Sequence, residues 1–289
     1  LVHVVHTLSF SAQRACFAFS EPSLPVPSEC DALVSGVKEA CTAVLAVFCE
    51  LPRSQGHTLR TEVADNLREV YDAVIDLVSS INSLSHSFFH AAARLRKKCD
   101  AIAKIPKDNK EAVSSILLTQ YELISDAVHE IREVIDQEDA LAMDLQRIPV
   151  RNGFTQPRAL HLSPQERALL NPGIALAKTL RSTMRKVRAA VDSHGRCTNV
   201  QEIEELDRIA DLTWVSSPLV DNFIIALNPP IVPTIVREHG AALKEHVLAM
   251  LDATKNCHLY NSAEENWFDL LERATSHHYQ TLLLHVDEL

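Results

Sequence analysis

The sequence predicts an all-α protein of two antiparallel helical bundles, with about nine helices in total. Only 6 of its 289 residues are glycine, so it has little of the turn material that multi-stranded sheets and phosphate-binding loops need. Apolar residues recur at spacings of three and four along most of the chain, as in helices packed in a bundle. No segment combines sustained two-residue alternation with β-branched residues and glycine-rich turns, the pattern typical of strands.

Five helices are predicted in the first half of the chain. Val2, Val5 and Leu8 indicate the remnant of a first helix, and the second ends at Leu51-Pro52 because proline disfavours helical backbone in the residue before it. A capping box at Asp108-x-x-Glu111 starts the fifth helix, with Glu111 expected to bind the Asp108 amide. The third helix has the clearest apolar stripe, formed by Leu59, Val63, Leu67, Val70, Val74, Leu77 and Ile81. We assign residues 1–144 to an N-terminal bundle whose first helix is truncated.

Residues 145–162 interrupt the helical pattern and are predicted to form a linker loop. Pro149, Gly153 and Pro157 lie there among few regularly spaced apolar positions. Helical periodicity resumes at Ser163-Pro164-Gln165-Glu166, which combines an N-cap, a proline at the first helical position and a capping glutamate. The next helix begins at Asn199-x-x-Glu202 and is expected to break near Ser217-Pro218. Residues 163–289 are therefore assigned to a C-terminal bundle.

Composition excludes several classes of protein. The formal net charge of −10 and the sequence pI near 5.8 make nucleic acid an unfavourable partner. The seven cysteines are odd in number and contain no Cys-x-x-Cys pair, which argues against a disulfide framework or a structural zinc site. No apolar run approaches the roughly 18 residues of a membrane-spanning helix. We expect a soluble chain.

No motif for catalysis or cofactor binding is present. The sequence lacks glycine-rich phosphate loops, a Gly-x-Ser-x-Gly elbow and a His-Glu-x-x-His helix. His86 and His90 are four residues apart and could share a metal ion, but no third ligand is near them in the sequence. His277-His278 and Cys257-His258 are equally weak signals. We assign no catalytic, cofactor-binding or metal-binding residue and expect no cofactor.

Charged runs are the remaining candidates for a binding surface. A solvated helix face is the commoner explanation of each run, so partner-binding residues stay unassigned. The second basic run could bind an acidic partner, and the acidic cluster could steer a basic one. The two basic runs are Arg94, Arg96, Lys97 and Lys98, then Lys178, Arg181, Arg185, Lys186 and Arg188. The acidic cluster on the fifth helix is Glu122, Asp126, Glu130, Glu133, Asp136, Glu138, Asp139 and Asp144.

Three stretches, in their order and spacing, resemble one known family. The first is Leu51-Pro52-Arg53-Ser54-Gln55-Gly56-His57-Thr58-Leu59-Arg60, and the second is Ile105-Pro106-Lys107-Asp108-Asn109-Lys110-Glu111-Ala112. The third runs from Leu206-Asp207-Arg208-Ile209-Ala210-Asp211 through Ser217-Pro218 to Asn228-Pro229-Pro230. They are similar to segments of the cyclin-D-binding protein family, also called GCIP or Maid. These are loop and cap signatures, so they speak for a fold more than for an activity.

The resemblance implies a non-enzymatic all-α protein of cytoplasm and nucleus. Family members bind D-type cyclins and helix-loop-helix transcription factors and restrain cell-cycle entry. Animal members carry a longer acidic insert between the halves, whereas residues 145–162 include Arg147, Arg151 and Arg158. Two alternatives remain open. One is a structural adaptor resembling the helical bundles of vinculin, α-catenin and talin; the other is an enzyme built on paired Glu-x-x-His motifs, and no such pair is found.

Overall fold

A computed structural model describes residues 1–20, 23–83, 87–147 and 162–289, and only the backbone at residues 134 and 137–147. All regular structure in these ranges is helical, which confirms the all-α prediction. The predicted break near Ser217-Pro218 falls at Val215, between two helices. The helices are α1 (Val2–Ser20), α2 (Pro27–Cys49), α3 (His57–Asn82), α4 (Phe88–Ala101), α5 (Asn109–Arg147), α6 (Pro164–His194), α7 (Val200–Trp214), α8 (Ser216–Ala226), α9 (Pro233–Lys255) and α10 (Glu265–Val286).

The chain divides into two compact units, Leu1–Ala112 and Val113–Leu289, each with its own apolar core. In the first unit, α3 packs on α4, and α1 packs on α2 and α4. Helix α2 buries only Ala40 and Val44. The predicted stripe of α3 is buried from Leu59 to Leu77, because its spacing of three and four keeps these side chains on one face.

Helix α6 is the central helix of the second unit and packs on α9 and α10. Five apolar residues at spacings of three and four along it are fully buried: Leu176, Leu180, Met184, Val187 and Val191. Full burial of one such side chain contributes about 1.5–3 kcal/mol. This stripe fixes which side of α6 remains available to solvent.

The division between the units differs from the predicted linker at 145–162. We expected α5 to belong to the N-terminal bundle, but its buried side chains from Val113 to Ile131 lie in the core of the second unit. An amphipathic stripe shows that a helix has a dry face without showing which neighbour covers it. Residues 148–161 lie outside the described residues.

The predicted capping boxes are present, with one correction. The Ser163 hydroxyl accepts from the Glu166 amide at 3.1 Å, and Glu166 Oε2 accepts from the Ser163 amide at 2.7 Å. Asp108 Oδ1 accepts from the Glu111 amide at 2.8 Å as expected. The Glu111 carboxylate, however, accepts from the amide of Lys107 rather than Asp108. It thereby satisfies a donor one residue before the cap.

The start of α3 is tied to the start of α5 through Asn109. This side chain is buried, and its Oδ1 accepts from the Leu59 amide at 3.0 Å. Gly56 lies directly beside it with φ of 105°, in the region that favours glycine. A Cβ atom at Gly56 would meet Asn109 Cγ at 2.2 Å. The Gly56–Asn109 contact therefore requires a residue with no side chain.

We expect Gly56→Ala to lower the free energy of unfolding by about 2–4 kcal/mol, through backbone strain and displacement of Asn109. Gly36→Ala is the matched control, because Gly36 lies inside α2 with nothing within 4 Å of a new Cβ. It should raise stability by about 0.5–1 kcal/mol. Urea unfolding followed by circular dichroism measures both changes. Equal effects of the two substitutions would contradict the proposed contact.

Candidate functional site

A polar depression in the second unit lies between the start of α7 and the turn after α9. It has a volume of about 350 Å³ and opens to solvent. Its walls carry two glutamates, a histidine and a cysteine, the residue types from which a reaction centre could be built. The lining residues are Arg196, Asn199, Gln201, Glu202, Glu205, Asn256, Cys257 and His258.

Glu202 is the anchor of this depression. Its Oε2 accepts from the Thr198 hydroxyl at 2.6 Å and from the Thr198 amide at 2.9 Å, while Arg196 Nε donates to Oε1 at 2.7 Å. The two Thr198 donors, followed by Arg196, lower the pKa of Glu202 to about 2. The carboxylate is thus held ionised, with three hydrogen-bond donors directed at its two oxygens. This glutamate closes the turn before α7, an elaboration of the predicted Asn199-x-x-Glu202 cap.

His258 is fixed in one tautomer by its two neighbours. Glu205 Oε2 lies 2.6 Å from Nδ1 and also accepts from the His258 amide at 2.9 Å. The Arg196 amide donates to Nε2 at 3.1 Å. Because Nε2 accepts a hydrogen bond, the proton of the neutral ring lies on Nδ1, facing Glu205.

This arrangement does not form a nucleophile and base. A carboxylate that orients a histidine is a familiar catalytic pair, but the second nitrogen of His258 is occupied by the Arg196 amide. Burial raises the pKa of the neighbouring Cys257. The Cys257 thiol donates a hydrogen bond to the Thr254 carbonyl oxygen, 3.3 Å from the sulfur. Cys257 is therefore a protonated thiol with a partner. The hydrogen bonds across the depression join the segment that leads into α7 to the turn after α9, so their role is structural.

A second histidine, His246, is buried in the second unit beside Ser216. Ser216 Oγ lies 2.8 Å from His246 Nε2, and the serine is completely inaccessible to solvent. Burial lowers the pKa of His246 to about 4, so the ring is neutral at pH 7. No substrate can reach the serine in this position. The pair links the start of α8 to α9.

His246 should make stability fall with acidification. Its pKa drops from 6.5 to about 4 on folding. Between pH 6.5 and pH 4, His246 is therefore protonated in the unfolded chain and neutral in the folded chain. The free energy of unfolding should decrease by up to about 3 kcal/mol as pH falls from 6.5 to 4. Urea unfolding at a series of pH values measures this slope.

The matched variants are His246→Gln and His90→Gln, since His90 is exposed on α4. Only His246→Gln should flatten the dependence of the unfolding free energy on pH between pH 6.5 and 4. Titrating carboxylates contribute equally to this dependence in both variants. A wild-type slope retained in His246→Gln would refute the assignment to this histidine.

No metal centre is found among the described residues. No group of three or more His, Cys, Asp or Glu side chains in the described ranges could hold a metal ion. Of His86 and His90, whose spacing could suit a metal ion, the first lies outside the described residues and the second is exposed. The rings of His277 and His278 are 5.4 Å apart, centre to centre.

The predicted acidic cluster forms an exposed stripe on α5. We call Glu122, Asp126, Glu130, Glu133 and Asp136 the acidic ridge. Within the described part of the chain, its one ion pair joins Glu133 to His129 Nε2, at 3.3 Å. The side chains of Glu138, Asp139 and Asp144 lie outside the described residues. The acidic ridge is available to a partner.

The two basic runs have different surroundings. In the first, Arg94 forms an ion pair with Asp76, and Lys98 Nζ lies 2.6 Å from Glu69 Oε2. This run is therefore partly neutralised by α3, its neighbour in the first unit. In the second run, Lys186 lies over the Trp267 ring at 6.0 Å from its centre.

Helix α2 corrects an expectation from the sequence. It is long and apolar enough to cross a membrane, with mean hydropathy 1.7 in its most apolar 18 residues. Core helices and signal sequences meet the same criterion. Lys38 and Glu39 lie near its middle, and a lysine at a bilayer centre costs about 2.5–3.5 kcal/mol. Because α2 also packs on α1, we treat it as a surface helix that exposes Val34 and Leu45.

Comparison with known proteins identifies the family. The N-terminal model of the Grap2 and cyclin-D-interacting family matches residues 1–137. A cyclin-D1-binding protein 1 homologue of Xenopus laevis is 30% identical over 288 residues, which cover 97% of this chain and 86% of the relative. The chain belongs to the Grap2 and cyclin-D-interacting family. A Danio rerio homologue is 28% identical over 97% of this chain and 83% of its own length. Human cyclin-D1-binding protein 1 is 26% identical over 94% and 79%.

The family is named for binding, and the described surfaces are suited to it. Relatives bear the name of cyclin-D1-binding proteins, and the polar groups that could suggest catalysis are engaged in holding turns together. Sequence reasoning found the charged runs but missed the Glu205–His258 pair. Glu205 and His258 are 53 residues apart in the sequence, and only the fold brings them together.

Proposed function

We propose that this chain is a non-enzymatic regulatory module that binds D-type cyclins. The observation that carries the proposal is the similarity over nearly the whole chain to relatives named for binding cyclin D1. Exposed acidic and apolar helix faces support a role in protein binding, since helices of this kind dock on partner grooves.

The proposal extends to regulation. A protein that occupies a D-type cyclin withholds it from other partners, so we propose negative regulation of cell-cycle progression. We also propose helix-loop-helix transcription factors as a second partner class, bound without contact to DNA. The net charge of −10 supports this part, because it disfavours phosphate backbones. We further propose that the chain is present in both cytoplasm and nucleus, where such partners are found.

Affinity capture tests the proposed partner. The tagged chain is mixed with purified D-type cyclin at low and high salt, with a B-type cyclin as the matched control. We expect retention of the D-type cyclin only, reduced at high salt because charged helix faces contribute to binding. Equal retention of both cyclins, or of neither, would overturn the proposal. Capture of actin or adhesion proteins from cell extract in place of a cyclin would favour the adaptor.

A further inference from the structure

Four cations form a continuous patch where α5 and α6 meet. We call Arg132, Lys178, Arg181 and Arg185 the basic seam. Arg132 and Arg185 are exposed, and Lys178 and Arg181 are half-buried. The three α6 residues are spaced by three and four and so share one face of the helix, over about 10 Å of its length.

The position of the seam is fixed by a contact one turn further along α6. The Ser114 hydroxyl of α5 donates to Asp192 Oδ1 at 2.6 Å and accepts from Arg188 Nε at 3.2 Å. Arg181 and Arg185 precede Arg188 by seven and three residues, which places them on the same side of α6. The seam is therefore built on two packed helices of one unit.

The seam is unpaired, unlike the first basic run. No carboxylate oxygen lies within 4.0 Å of a side-chain nitrogen of these four residues in the described part of the chain. Burial and the neighbouring guanidinium groups of Arg132 and Arg181 lower the pKa of Lys178. Four like charges beside one another are unfavourable, and carboxylates from a partner would relieve that repulsion.

We propose that the basic seam binds an acidic helix of a partner protein. Carboxylates on successive turns of such a helix, at spacings of three and four, match the spacing of Lys178, Arg181 and Arg185. The furrow between two packed helices gives the incoming helix a place to lie. Arg132 adds an exposed cation from α5 and can form a forked pair with a carboxylate.

The acidic ridge selects against nucleic acid. Arg132 is flanked in α5 by Glu130 and Glu133, so the positive surface is narrow and bordered by carboxylates. A nucleic-acid duplex is broad, so its phosphates would lie against these carboxylates as well as against the seam. A single acidic helix can contact the seam alone. This inference deepens the proposed function by assigning one surface to one kind of partner segment.

Fluorescence anisotropy with a labelled peptide tests the inference on the full chain. The probe is a helical alanine-based peptide with glutamates at spacings of three and four, and its control carries glutamine at those positions. We expect the glutamate peptide alone to bind. Combined Lys178→Gln, Arg181→Gln and Arg185→Gln should weaken binding about tenfold, which is a total loss of about 1.4 kcal/mol, because three ion pairs with the peptide are removed.

The matched control removes the same charge from the first unit. Arg14→Gln, Lys97→Gln and Lys104→Gln combine three exposed cations outside the seam, and we expect less than about a twofold change because distant exposed charges are screened. Arg185→Glu is a second variant, for use if the triple variant folds poorly. It changes a single exposed residue, and it should also weaken binding. Circular dichroism verifies helical content in every variant.

Several outcomes would overturn the inference. Equal losses in both triple variants would indicate attraction to overall charge. Tighter, seam-dependent binding of a single-stranded DNA oligonucleotide would assign the seam to nucleic acid. Self-association of the wild type, lost in the seam variant, would identify the acidic ridge of a second copy as the occupant. Peptide binding at the seam with no capture of D-type cyclin would support this inference and overturn the proposed partner.

Discussion

Burial of the apolar side of α6 is the constraint on which the second unit depends. Leu176, Leu180 and Met184 are fully inaccessible to solvent, and the helix packs on both α9 and α10. Rotating α6 would expose this stripe at a cost of about 1.5–3 kcal/mol per large side chain. The remaining side of α6 is therefore fixed, and it is the side that carries Arg181 and Arg185. Core packing thus determines where the basic seam lies.

Much of the fold could be predicted from local pattern, because each local rule acts within one helix. The stripe of α3 and the cap at Ser163 depend on neighbours three or four residues away. The unit to which α5 belongs depends on what covers its stripe. Val113 and Ile131 have the spacing that either bundle would accept, so the sequence alone does not show which core their side chains join.

The candidate sites were less predictable, because pairing of charges is a property of the fold. Arg94 and Lys178 both begin dense basic runs in the sequence. Only the structure shows that α3 supplies Asp76 to the first run, whereas no carboxylate in the described part of the chain lies within 4.0 Å of Lys178, Arg181 or Arg185. Likewise, Cys257-His258 resembled a weak metal motif, whereas Glu205 and the Arg196 amide hold the ring as part of a loop contact.

The separation of charge on α5 and α6 explains how a strongly acidic chain can offer a cationic surface. The carboxylates of the acidic ridge are exposed, so water and salt screen the repulsion among them. Placing the cations at a helix junction concentrates them where α5 and α6 already exclude some water, and an incoming carboxylate gains more there than at a solvated face. The acidic border then repels polyanions too broad for the junction. Specificity for a narrow acidic segment follows from this pairing of attraction with repulsion.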